Sequence, residues 1–305
     1  MSPVLPESLG RRAAGLIRRH VLSPKLSFAT QRSRMETAMR TAVAPSNVAR
    51  SSLTIAGVAV ESLSPVGAAP RGTLVHLHGG GFTVGSPSTA IPWAGAIAAA
   101  VGLEVLLPDY ALAPEHPFPA AIDEIDALVS HVLEERAPST VALSGDSAGA
   151  NLALVITVER AERGESGPAS LVLLSPWLDL TVDRAADAEL LRRDPMLDPA
   201  WLAMSAQAYA PGQLDDPRVS PLRRDLSSLP PTLVQGGSDD VLAPDALRLL
   251  EAAPHSVSLS VAAPLWHDFA LQVGTLRAAD EALVAAADHL RRTLMLAEGS
   301  EQGAI

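Results

Sequence analysis

No cysteine occurs among the 305 residues. Its absence removes disulfides, thiolate metal sites and a cysteine nucleophile together, and the fold needs no oxidising conditions. Long apolar runs are missing too. No segment approaches the roughly 20 uninterrupted apolar residues that a membrane-spanning helix requires. The stretch Ala13 to Ile17, flanked by Arg11-Arg12 and Arg18-Arg19, is too short for the core of a secretion signal and suits one face of an amphipathic helix. Positive charge is scarce: 23 Lys and Arg stand against 34 Asp and Glu, a formal net charge of −11, and no long basic run occurs. That balance excludes the electrostatic footprint of a nucleic-acid binder. Internal repeats, low-complexity tracts and linkers able to separate two domains are likewise missing. The expectation is a soluble, cytoplasmic protein with no stable membrane association.

What is present suits one large domain, since 48% of the residues are hydrophobic and the length permits a sizeable core. Residues 1–46 are rich in Arg and Ala, with Pro24 and Pro45 as breaks, and read as two short helices. Leu53 to Leu63 reads as one or two antiparallel strands, and Gly72 to Leu77 as a compact apolar strand. Strand–helix units then repeat. Strands are expected at Glu104 to Leu107, Thr140 to Leu143, Ser170 to Leu174, Thr232 to Val234 and Val257 to Val261. Helices are expected near Ala90 to Val101, Pro119 to Arg136, Ala148 to Arg163, Pro244 to Ala252 and Phe269 to Met295. This alternation implies an α/β fold, a mostly parallel, twisted sheet of about eight strands with helices on both faces. An insertion at about 179–224, helical over Pro199 to Tyr209, interrupts the series. With residues 1–46 it forms the part free to fold over a site at the strand ends. Residues 47–295 make up the main domain, and 296–305 read as a frayed tail.

Four segments carry chemistry. In Gly145-Asp146-Ser147-Ala148-Gly149 a serine stands where a strand breaks into a helix, with small residues where so sharp a turn tolerates no bulk. Ser147 is the candidate nucleophile; its bland reading is a helix N-cap. In His78-Gly79-Gly80-Gly81 successive amides are unhindered by side chains. Together with the Ala148 amide, those of Gly79, Gly80 and Gly81 form a candidate oxyanion hole, where losing one donor costs ~100 to 1000-fold in rate. No Gly-Lys-Ser/Thr ending follows to make this a phosphate loop. His78 reads as a residue shaping the loop, and His76 with His78 lacks a third partner for a metal.

A histidine and an acid should follow the serine. His255 precedes a strand and so lies at the wrong sheet end. His289 falls inside the last helix, where a solvated position is expected. His267, in Trp266-His267-Asp268-Phe269, follows a strand and is the candidate base. Asp239 and Asp240, after the strand at Thr232, both fit the acid by position, and the bland reading of either is helix capping, a task Asp245 could share.

These segments, with Asp109-Tyr110-Ala111-Leu112-Ala113-Pro114-Glu115 and Leu229-Pro230-Pro231, resemble the hormone-sensitive-lipase-like branch of the α/β-hydrolases from about Leu53 to the last helix. The resemblance implies the α/β-hydrolase fold, a helical cap, no cofactor and hydrolysis of small, short-chain carboxylic esters by a catalytic triad. It favours Asp240 over Asp239, because Asp240-Val241-Leu242 best matches the family's Asp-Pro-Leu. Four positions depart from the family: Ala111 replaces an arginine, Val241 a proline, and Asp268 and Ala150 glycines. The Asp268 change could place a carboxylate near the base. Phe82, Trp177 and Trp201 are candidates to line the substrate pocket, as is Trp93. Amide or lactone hydrolysis would use the same machinery, whereas a non-catalytic binding relative would lack the base. Dimerisation through an edge strand or the last helix is compatible with the sequence. As base, His267 must be neutral, so activity should fall as pH drops through its pKa, ordinarily about 6.5.

Overall fold

In the computed structural model, which describes residues 5–183 and 188–296, eight strands form one sheet. Strands β1 (Val48–Ile55) and β2 (Val58–Pro65) form a hairpin, β2 pairs antiparallel with β4 (Glu104–Pro108), and all later pairings are parallel. The order is β1-β2-β4-β3-β5-β6-β7-β8, where β3 is Thr73–Leu77, β5 Val141–Asp146, β6 Ser170–Leu174, β7 Thr232–Gly237 and β8 Val257–Ala262. Strands β3, β5 and β6 are buried at every position, as expected of parallel strands covered on both faces. The expected stretch at 53–63 is therefore two strands. Its alternation is visible only where β2 meets the core, because β1 is exposed at all but its end residues.

Two apolar layers cover the sheet. One contains α4 (Ala120–Glu135) and α5 (Ala148–Glu162), together with α8 (Ala243–Ala252), packed around Val75, Leu143 and Leu173. The other contains α3 (Ile91–Ile97) and α9 (Arg277–Thr293), packed around Leu74, Ala142 and Val172. Helix α9 begins later than the expected Phe269. Residues 269–271 make a single 3₁₀ turn, after which Gly274 takes φ 74° and donates its amide to Asp280. The chain is thereby redirected before the helix starts. The tail at 297–305, the first four residues of the N-terminal segment and positions 184–187 of the insertion lie outside the described residues.

Above the carboxyl ends of the parallel strands lie α1 (Glu7–His20) and α2 (Phe28–Met39) from the N-terminus, and α6 (Ala188–Arg193) and α7 (Pro199–Tyr209) from the insertion. Ser27 caps α2 and Asp198 caps α7 through their side chains. Arg11 of α1 and Arg193 of α6 both pair with Asp239 in the loop after β7. Arg18 of α1 reaches Asp198 at 3.3 Å. These contacts fasten the cap segments to each other and to the sheet. Among the described residues, no helix is long and apolar enough to cross a membrane.

Candidate active site

Strand β5 ends at Asp146 and α5 begins at Ala148, so Ser147 alone makes the turn, at φ 51° and ψ −115°. That backbone conformation is costly for a residue with a Cβ and persists only where the surroundings enforce it. The surroundings do so by close approach. A Cβ on Gly149 would lie 1.9 Å from the carbonyl oxygen of Leu77, and one on Gly145 would lie 2.4 Å from the Gly149 backbone. The Ser147 amide is tied to Leu174 O at 2.9 Å. Its side chain makes no capping bond to α5, which removes the bland N-cap reading and leaves the hydroxyl on a cavity.

Helix α5 starts directly below this serine, and its first amide belongs to Ala148. The glycine loop faces it. Tyr110 donates its hydroxyl to His78 O at 2.6 Å, and the His78 ring stacks on Tyr110 at 4.3 Å and bonds Gly79 O through Nδ1. Burial lowers the pKa of His78, so this ring is a neutral structural brace. The Gly79 amide differs from its expected role, because it donates to Asp146 Oδ2 at 2.8 Å and so locks the glycine loop to the elbow. Gly79 thus leaves the set of candidate oxyanion donors. The Gly80 and Gly81 amides bond no protein group among the described residues. His76 lies elsewhere: it bonds Ser144 Oγ at 2.9 Å, packs on Trp93 and sits 3.2 Å from Asp146 Oδ1 without alignment for a hydrogen bond. The two histidines do not converge on a shared ligand site.

His267 follows β8 and is buried with Nδ1 3.1 Å from both oxygens of Asp240. Asp240 is fully buried and also accepts the Leu242 amide at 2.8 Å, which fixes its carboxylate. Asp239, the other positional candidate, turns toward Arg11 and Arg193 and away from the imidazole. Asp245 is engaged with the Leu178 and Asp179 amides. His289, expected in solvent, is buried and bonds Ser170 Oγ at 2.9 Å, because its face of α9 covers β6.

Two further carboxylates crowd the site, and one of them has no signature in the sequence. Asp194, at the end of α6, is buried and accepts the amides of Met196 and Val241. Burial, with repulsion from Asp240, raises its pKa to about 6. Asp268 places Oδ2 3.1 Å from Nε2 of His267, so both ring nitrogens face a carboxylate. Burial alone would lower the His267 pKa, but the carboxylates of Asp268 and Asp240 outweigh it and hold it well above the ordinary value. Burial raises Asp268 in turn to about 7, against the pull of His267.

The cavity over Ser147 has a volume of about 300 Å³. Ala14 and Ile17 of α1 and Met35 and Met39 of α2 line one side, Met196, Leu197 and Trp201 of the insertion another, and Asp146, His267 and Asp268 reach it from the sheet. Of the expected aromatic lining residues only Trp201 is in place. It packs over Gly81, whose Cβ would come within 2.8 Å of the ring, and donates Nε1–H to the buried Gln31 at 2.7 Å. Phe82 stacks on Tyr209 at 3.8 Å, Trp177 sits 5.9 Å from Phe82, and Trp93 lies behind His76, so all three are core residues. Ala111 supplies no guanidinium to its segment, but Arg32 of α2 does. Its guanidinium donates to Thr83 O, Ala113 O and Glu115, bracing the same segment from the cap.

Residues 74–271 match a protein family described by the alpha/beta hydrolase fold. LipR of Mycobacterium tuberculosis is 36% identical over 93% of each chain. An acetyl-hydrolase of Streptomyces hygroscopicus is 40% identical over 59% of this chain and 61% of its own. A crystal structure of an esterase from the bacterial hormone-sensitive lipase family superposes with a TM-score of 0.86 at 31% identity, covering 95% of this chain and 99% of that one. Together with the serine elbow, the glycine loop and the imidazole above the strand ends, these likenesses assign the chain: it belongs to the hormone-sensitive-lipase-like branch of the α/β-hydrolase family.

Proposed function

We propose that the chain is a serine carboxylesterase acting on small esters with short acyl chains, with Ser147, His267 and Asp240 as its triad. The observation that carries this reading is the pairing of His267 Nδ1 with both Asp240 oxygens at 3.1 Å, on the same cavity that holds Ser147. Asp240 keeps the proton on Nδ1 and leaves Nε2 to take the Ser147 proton as Oγ attacks the ester carbonyl. The Gly80, Gly81 and Ala148 amides stabilise the oxyanion where it forms, because they are fixed beforehand and need no reorganisation. Protonated Nε2 then delivers its proton to the leaving alcohol. Water then attacks the acyl carbon as Nε2 takes its proton, and when the Oγ–acyl bond breaks the acid leaves and Nε2 returns that proton to Ser147 Oγ.

Cavity size supports the short acyl chain. At about 300 Å³ it sits at the lower end of the roughly 300–1,000 Å³ typical of small-molecule sites, and its walls are mainly apolar. The relatives named esterase and acetyl-hydrolase support the same substrate class. The test is a panel of p-nitrophenyl esters from acetyl to decanoyl, run with wild type and Ser147→Ala. Wild type should prefer the short esters, and the variant should lose at least ~1000-fold in kcat. Ser147→Ala turning over at a near-wild-type rate, or failure of a fluorophosphonate to label Ser147 in wild type, would overturn the reading.

A further inference from the structure

His267 Nε2 must receive the Ser147 proton, yet in the structure a different group stands beside that nitrogen. Asp268 Oδ2 lies 3.1 Å away, and among the described residues no hydrogen bond joins Ser147 Oγ to His267. The Asp268 carboxyl is held there by its backbone. Its residue takes the left-handed conformation at φ 54°, and its amide donates to Ser175 Oγ at 3.0 Å. Ser175 is itself fixed through its amide to Gln235 O at 2.7 Å. The second oxygen, Oδ1, is buried and finds no partner among the described residues, an arrangement costly for a fully charged carboxylate.

We propose that Asp268 is a positioning residue that acts through His267, holding a proton between its Oδ2 and Nε2 in the free enzyme and so competing with the Ser147 hydroxyl for that nitrogen. This inference rests on the triad reading above. With Nδ1–H held by Asp240, the His267–Asp268 pair carries one proton too many for Nε2 to act as a base. That proton leaves to solvent, the Asp268 carboxylate moves off the ring, and Nε2 can then take the proton of Ser147 Oγ as the Oγ–carbonyl bond forms. The groups facing the pair all favour retention of the proton. Asp240 lies on the β7–α8 loop, Asp194 on the insertion and Asp146 at the end of β5, whereas Arg11 and Arg193 are engaged by Asp239. The acid limb of kcat/KM should therefore lie above the histidine norm of about 6.5.

Asp268→Asn tests the proposal, because asparagine tolerates the left-handed conformation and keeps the side-chain size without the charge. The acid limb should move down by about one pH unit or more, so that at pH 6 the fraction of its own plateau that the variant retains rises by roughly tenfold. Asp268→Gly, which also suits that backbone, should behave likewise, and Asp268→Glu should restore the high limb. A merely structural role would lower the plateau and leave the limb in place. Imidazole NMR titration of His267 in the Ser147→Ala protein reads the pair without turnover, and so separates failure of this proposal from failure of the esterase reading. A folded Asp268→Asn with an unmoved acid limb and an unmoved His267 titration would overturn the inference.

Discussion

Replacing Asp240 by asparagine removes one charge from a site crowded with carboxylates, and activity should fall far more than stability. Both Asp240 oxygens sit 3.1 Å from His267 Nδ1, so the carboxylate selects the tautomer with its proton on that nitrogen. No neighbour can substitute. Asp194 has its oxygens committed to the amides of Met196 and Val241, and Asp239 is turned to Arg11 and Arg193. An amide donor facing Nδ1 favours the opposite tautomer, with its proton on Nε2, which is the wrong nitrogen for accepting one from Ser147. The same acid-to-amide change in a serine triad lowers kcat by ~10⁴-fold, equivalent to about 5.5 kcal/mol at ~1.4 kcal/mol per decade. Stability should not fall in step, because losing the charge relieves repulsion on Asp194. Asp239→Asn is the matched control. It breaks pairs whose arginines are 36% and 48% exposed, each worth ~0–1 kcal/mol and sensitive to salt. Its kcat should stay within about twofold of wild type, with any loss appearing in KM, because α1 lines the cavity. Initial rates on a p-nitrophenyl ester at pH 8, beside thermal melting, read both quantities. If Asp240→Asn kept a tenth of wild-type kcat, or Asp239→Asn lost more than it did, the assignment of the acid would be wrong.

Two further substitutions probe the cap and the buried charge. Trp201→Ala removes the ring over Gly81 and orphans Gln31 Oε1, so the protein should lose ~3–5 kcal/mol of stability while kcat/KM for octanoyl relative to acetyl esters rises by roughly an order of magnitude. An unchanged chain-length profile in a folded Trp201→Ala would show that this wall does not limit the acyl chain. Asp194 is raised from 3.8 to about 6 on folding, so the native state binds its proton more tightly than the unfolded chain does. Its effect is therefore a loss of stability as pH climbs from about 4 to about 6, complete above that, and worth roughly 3 kcal/mol. Urea unfolding at pH 4 and pH 7.5 should show wild type losing more over this interval than Asp194→Asn, and equal losses would count against the assignment. Any weakening of the hydrogen bonds from the Met196 and Val241 amides in the variant weighs equally at both pH values and drops out of the comparison.

Features whose chemistry depends on local backbone are written in the residues of this chain. Glycines at 145 and 149 are needed because other backbone comes within 2.4 Å of where their side chains would start, so the elbow around Ser147 is written in the residues that make it. The order of strands and helices was equally legible, since parallel strands buried on both faces must be apolar throughout. The place of His267 after a strand is likewise readable from the chain. Side-chain partnerships were not legible in this way. Asp239 and Asp240 are adjacent and chemically identical, and only the packing of α1 and α6 against the loop draws one to arginines and leaves the other to the imidazole. The Gly79 amide passed for an oxyanion donor because nothing local announces that Asp146, 67 residues onward, accepts its hydrogen bond. Phe82 and Trp177 lie in the core for a related reason that the sequence does not display: an aromatic residue near a site has the same signature whether it faces the cavity or the core. Asp268 was visible as a departure from glycine, but its contact with Nε2 was not. That contact depends on a left-handed residue pinned to Ser175 across the sheet, and a distance between side chains on separate loops exists only once the tertiary fold has brought those loops together.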